Sequence, residues 1–190
     1  MRKQRIQMVV LSVVLLICCV GFLAARFYAN AEEEKEKEKE EGIYTALSFE
    51  KTNLRQLSIV GEKGELALTY DGSSWSFVND IDAEEETKTS YEVNSSVANE
   101  ILERLASLTS SNEVDHVTDM ESYGLDAPVL TVTITLQDET QHTVEVGSRN
   151  EMISAYYIRV DDGDTVYTLS DSDYSLLNKT DTDAAQEAAS

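Results

Sequence analysis

Cysteine is nearly missing. The two present, Cys18 and Cys19, are adjacent and lie inside an apolar run, so no disulfide can staple the rest of the chain. Two histidines leave little material for a zinc site. Basic residues are scarce: 15 Lys and Arg stand against 36 Asp and Glu, for a formal net charge of −21. Phosphate contacts need clustered cations, so nucleic-acid binding is excluded, and an anionic lipid face would repel such a surface. Proline occurs once and tryptophan once. No Gly-x-Ser-x-Gly, phosphate loop or His-Glu-x-x-His is present. No cofactor follows from any motif, and no motif dictates a reaction.

What the chain does have is one long uncharged run. Arg5 and Arg26 bracket the twenty residues Ile6 to Ala25. At a rise of about 1.5 Å per residue they span about 30 Å, the hydrocarbon core of a bilayer. A helix there satisfies its own backbone groups. Arg2, Lys3 and Arg5 precede the run, and seven Glu with three Lys follow it between Glu32 and Glu41. The basic flank predicts a cytoplasmic amino terminus and an extracytoplasmic remainder. Phe27 and Tyr28 suit the interface. Ala29-Asn30-Ala31 also matches the small-x-small pattern of a cleaved signal, but the run is longer than a signal's apolar region. Both readings export the domain.

The expected organisation is a cytoplasmic tail (1–5), a transmembrane helix (6–28), an acidic stalk or linker (29–53), one compact domain (54–177) and a disordered tail (178–190). Twenty-five acids against six bases between Leu54 and Leu177 make the domain a self-repelling anion.

Inside the domain, Leu57 and Ile59, then Glu65 to Tyr70, then Trp75 to Val78 alternate with the period of a strand, separated by Gly61-Glu62-Lys63-Gly64 and by Asp71-Gly72. Residues 79–90 read as an acidic loop. Val97, Ile101, Leu105 and Leu108 then recur at helical spacing. This predicts a helix over 94–108, capped by Asn94, Ser95 or Ser96. Leu130 to Leu136, His142 to Val146, Ala155 to Val160 and Thr165 to Leu169 read as four further strands, and Asp171 to Leu177 as a short helix capped by Asp171 or Ser172. The fold class expected is α+β: an antiparallel sheet with one main helix packed on it, preceded by the transmembrane helix. The two halves repeat strands, polar turns and a helix, which is either an internal pseudo-repeat or the ordinary grammar of such domains.

The element Tyr123-Gly124-Leu125-Asp126-Ala127-Pro128 leads straight into the Thr-alternating strand. Further on come Ala155-Tyr156-Tyr157-Ile158-Arg159-Val160, Asp161 to Asp164 and Val166-Tyr167. Together these resemble the bacterial DUF4340 family, a domain of unknown function. The resemblance implies a single-pass, membrane-anchored extracytoplasmic domain associated with ABC-transporter components. It carries over no catalytic residue. The residues of the Tyr-Gly-Leu corner have a sufficient structural reading. Pro128 keeps Ala127 extended, Gly124 allows a left-handed turn, and Tyr123 and Leu125 plug the core edge.

Site chemistry is sparse. His116 and His142 lie near strand patterns and need no catalytic role. Asp161-Asp162-Gly163-Asp164 lacks the ligand alternation of a calcium loop and reads as a hairpin turn. Trp75, Tyr156, Tyr157 and Tyr167 are the candidates for a binding surface, as an exposed aromatic row for protein or glycan; ordinary sheet packing is the competing reading. Tyr156 and Tyr157 must face opposite sides of their strand, one buried and one exposed. The expected function is a tethered interaction or accessory module, with the lipid bilayer and transporter membrane components as partners. The alternatives are an envelope enzyme using paired acids and a ligand or calcium sensor.

Overall fold

A computed structural model describes residues 42–78 and 91–187. The expected transmembrane helix, the cytoplasmic tail, most of the acidic stalk and the loop 79–90 lie outside the described residues. Among the described residues no helix is long and apolar enough to cross a membrane. A compact unit begins at Tyr44.

Among the described residues twelve strands and three helices follow one another. They are β1 (Tyr44–Ser48), β2 (Leu54–Gly61), β3 (Gly64–Tyr70), β4 (Trp75–Phe77), β5 (Tyr91–Val93), α1 (Ser95–Ala106), β6 (Ser107–Ser110), β7 (Glu113–Val114), β8 (Leu130–Leu136), β9 (Gln141–Asn150), β10 (Ala155–Val160), β11 (Val166–Ser170), α2 (Asp171–Leu177), α3 (Asp181–Ala184) and β12 (Ala185–Glu187). Short 3-10 turns occupy Lys51–Asn53 and Glu121–Tyr123. Eight strands form one sheet in the order β4-β3-β2-β8-β9-β10-β11-β7, with every neighbouring pair antiparallel. Two ribbons, β1 with β6 and β5 with β12, complete the strands. The protein is thus mostly antiparallel sheet with a few helices, an α+β arrangement.

The centre of the sheet has local twofold character. Leu57 lies opposite Ile134, Ile59 opposite Val132, and Ser58 opposite Thr133 between them. A half-turn about the Ser58–Thr133 pair exchanges β2 with β8 and lays β3 on β9 and β4 on β10. Leu68 then takes the place of Val144, and Trp75 that of Ile158. The likeness of the two halves is therefore a likeness of strand pairing and register.

Strand alternation buries one face. Leu57, Ile59, Leu66, Leu68, Val132, Ile134, Val144, Val146 and Ile158 point to that side and form a single cluster with Ala98, Ile101, Leu102 and Leu105 of α1 and Leu177 of α2. The α1 stripe follows from its helical spacing. Asn94 caps it by accepting a hydrogen bond from the Ser96 amide at 3.1 Å. The helix stops at Ala106, earlier than its periodicity predicts. Leu108 belongs to β6 instead, opposite Leu47 of β1, and is fully buried there. α2 covers the predicted residues, but its cap is Ser170, which accepts from the Asp173 amide at 3.1 Å.

The domain's elements extend beyond residues 54–177 on both sides. Residues 44–53, expected in the linker, form β1 and a 3-10 turn, because Leu47 has a place in the core that outweighs its polar surroundings. Of the tail expected from residue 178 onward, residues 181–187 instead form α3 and β12. Thr180 and Asp183 make a reciprocal capping box, Ala184 is fully buried, and the Asp181 carboxylate accepts from the Ala67 amide at 3.0 Å. Alanines without periodicity gave no sign of this, since their burial depends on the strand they meet.

Candidate functional site

The four aromatic candidates do not share a surface. Trp75, only 8% exposed, sits in the core on β4. Its ring lies 4.7 Å from that of Tyr70, and its indole N–H donates to Asn99 Oδ1 on α1 at 2.8 Å. Tyr156 is on β10, five places away in the sheet. It is half-buried on the core face, with its ring stacked at 3.8 Å on Tyr174 of α2. Burial most, then the negative charges of the Tyr156 phenolate and Glu62, raise the Tyr174 hydroxyl above its ordinary pKa. Tyr167, half-buried, packs against the same cluster. Tyr157 points to the opposite face, but it too is half-buried rather than exposed. It meets Tyr123 edge-on at 4.8 Å, and its hydroxyl accepts from Asn150 Nδ2 at 2.6 Å.

Both histidines meet the same turn. The β10–β11 connection has Asp161 and Asp162 in the left-handed region, and the Gly163 amide donates back to Val160 at 3.0 Å. Two consecutive left-handed residues suit the twist of the flanking strands. Asp161 accepts from the Thr143 amide at 2.7 Å and pairs with His142 Nδ1 at 2.7 Å. Asp164 pairs with exposed His116 Nδ1 at 3.1 Å, and Asp162 with Arg159 at 3.2 Å. The hydrogen bond and charge of Asp164, with a smaller contribution from Asp115, raise the His116 pKa above its ordinary value. The carboxylates of this turn are thus engaged in holding strands. Among the described residues no three His, Cys, Asp or Glu side chains gather as a metal ion would require.

The cations are similarly engaged. Lys51 pairs with Glu103 at 2.6 Å and Arg55 with Glu139. Arg104 joins α1 to Asp173 of α2 at 2.7 Å, and Arg159 donates to Glu145 at 2.7 Å. Arg149 holds Asp171 by two bonds, of 2.8 and 2.7 Å, and Glu151 by a third. Those carboxylates hold the Arg149 pKa above its ordinary value, and Arg149 in turn lowers that of Asp171. Among the described residues the surface charge is predominantly acid, so a partner approaching through electrostatics must bring cations.

The Tyr123-Gly124-Leu125 corner lies across the second face. Gly124 is left-handed, with φ of 70°, as its place at the end of the 3-10 turn requires. Leu125 is buried, and Ser148 Oγ donates to the Tyr123 carbonyl at 2.9 Å. Gly147 runs directly beneath: a Cβ there would lie 2.3 Å from the Tyr123 carbonyl oxygen.

The family model described as "Domain of unknown function (DUF4340)" matches residues 29–128 and 88–188. The chain belongs to the DUF4340 family. No curated protein and no solved structure matches it. In this DUF4340 chain the Tyr-Gly-Leu element works as a strap over β9, and its tyrosine reaches Tyr157 of β10, one of the four aromatic candidates. Three features escaped that reading: Asn99 as the partner of Trp75, the Arg149 clamp on α2, and the tip of the β9–β10 hairpin, where Met152 is 94% exposed. The tip alone had a sequence signal, two apolar residues where a turn is normally polar.

Proposed function

We propose that this DUF4340 protein is a single-pass, membrane-tethered interaction module, with its amino terminus in the cytoplasm and its acidic domain outside. The observation that carries the reading is the uncharged run Ile6 to Ala25 between Arg5 and Arg26, with an acidic stalk beyond it. The domain supports a binding role in a second way. Its histidines and arginines are engaged in holding turns and helices, and it presents an acidic surface to a cationic partner. Association with membrane components of an ABC transporter follows from the DUF4340 resemblance.

Two experiments test this. Protease added to intact protoplasts digests the domain if it lies outside; protection until lysis would refute the topology. Crosslinking of the full chain in its own membrane, followed by purification, recovers a transporter permease. Recovery of none, with wall-polymer cleavage by the purified domain, would replace the module by an enzyme.

A further inference from the structure

Five hairpins turn the sheet. Four of their connections are polar throughout: Glu62-Lys63, Asp71-Gly72-Ser73-Ser74, Gln137-Asp138-Glu139-Thr140 and Asp161-Asp162-Gly163-Asp164-Thr165. The fifth, between β9 and β10, is Glu151-Met152-Ile153-Ser154. It presents Met152 at 94% exposure and Ile153 at 48%. A single exposed apolar residue means little; two adjacent ones at the tip of a turn forgo solvation that the other four turns obtain.

The base of this tip is braced. Asn150 Oδ1 accepts from the Met152 amide at 2.9 Å, and Asn150 Nδ2 donates to Tyr157 Oη at 2.6 Å. Tyr157 is in turn held edge-on by Tyr123. On the other side Arg149 fastens Glu151 to Asp171, the first residue of α2. Ser154 closes the turn in the left-handed region, with φ of 51°. The tip is thus an apolar projection on a fixed support, which reduces the ordering cost of docking.

We infer that the Met152–Ile153 tip is the docking point for a protein partner, inserting into an apolar pocket rimmed by Lys or Arg. Charge selects this occupant. Glu151 stands beside the tip at 82% side-chain exposure and Asp171 lies below it; Arg149 between them offsets one of the two charges, which leaves the base of the tip net negative on a chain that carries −21 overall. A second copy would bring the same charge and be repelled; an anionic lipid surface would be repelled likewise. Methionine, unbranched and polarizable, suits insertion into a pocket of another shape. The inference rests on the interaction-module reading and deepens it.

The test uses the full chain in its native membrane. A benzophenone side chain replaces Met152, and in a control replaces Glu121. Illumination gives a protein adduct at 152 and little at 121. The joined peptide is apolar with flanking Lys or Arg, and the yield falls as NaCl rises. Adducts to lipid or to a second copy, equal yield at both positions, or no adduct each overturn the tip. In parallel, the double variant Met152→Asp, Ile153→Asp lowers recovery of the partner captured by the unaltered chain at least roughly tenfold, with its melting temperature unchanged. Full recovery by the variant overturns the tip and leaves the module standing. No partner recovered by the unaltered chain overturns the module, and the tip with it.

Discussion

Replacing Gly147 by alanine tests whether the Tyr123-Gly124 strap rests on β9 as described. The new Cβ would stand 2.3 Å from the Tyr123 carbonyl oxygen, 3.0 Å from the Gly124 carbonyl carbon and 3.1 Å from its oxygen. All three are backbone atoms, so no side-chain rotation relieves the contact. An ordinary contact begins near 3.4 Å, and the strap must lift by about an ångström. Lifting weakens the Ser148–Tyr123 hydrogen bond, worth ~1 kcal/mol, and the edge-on Tyr123–Tyr157 pair, worth ~1 kcal/mol. It also lets water reach Leu125. Against this, alanine restricts the unfolded chain and returns roughly 0.5 kcal/mol. The net cost is about 2–3 kcal/mol, or a fall in melting temperature of roughly 10 °C for a unit of this size. The assay is urea and thermal unfolding of a fragment beginning at Tyr44, followed by Trp75 fluorescence. Gly72→Ala is the comparator: its φ of 96° strains alanine, but nothing lies within 4 Å of the added atom. An unchanged or raised midpoint for Gly147→Ala would refute the close approach.

Other outcomes follow from the same structure. Asn99→Ala leaves the Trp75 indole N–H without its acceptor in the core; stability falls by ~1–3 kcal/mol, checked by urea midpoint, and a neutral result would show that water replaces the amide. Asp71 accepts from the amides of Ser74 and Ser73 and from both their hydroxyls, which holds its pKa well below the ordinary aspartate value. Its contribution to stability is therefore present above the unfolded-state pKa and is lost as pH falls through the depressed folded value. Carboxyl carbon NMR checks this, and a midpoint at the ordinary value would exclude it. Ending the chain after Asn178 removes Asp181 from the Ala67 amide, Ala184 from its buried place and β12 from β5, so stability falls by ~2 kcal/mol or more in calorimetry; an intact melting temperature would mean the segment is dispensable.

Much of the fold was legible from period alone. β8 and β10 run where alternation puts them, and so does α2, because a two-residue or 3.6-residue repeat of apolar side chains names both the element and its buried face. Less legible were features set by partners far away in sequence. The spacing of Leu108 continues the α1 stripe, but its place opposite Leu47 takes it into a strand. Trp75 and Tyr157 are equally aromatic on paper. The difference between them is Asn99 on a helix behind the sheet and Tyr123 on a strap in front of it.

By itself, then, the sequence determined the charge of this protein, its uncharged run, its antiparallel α+β class and its family. These depend on composition and on neighbours a few residues apart. Only the tertiary structure decided that residues 44–53 and 181–187 join the fold, which aromatics are core, how each described arginine is engaged, and that an apolar pair stands on a braced tip. Burial and ion pairing belong to pairs of residues tens of positions apart, and chain folding alone brings those together.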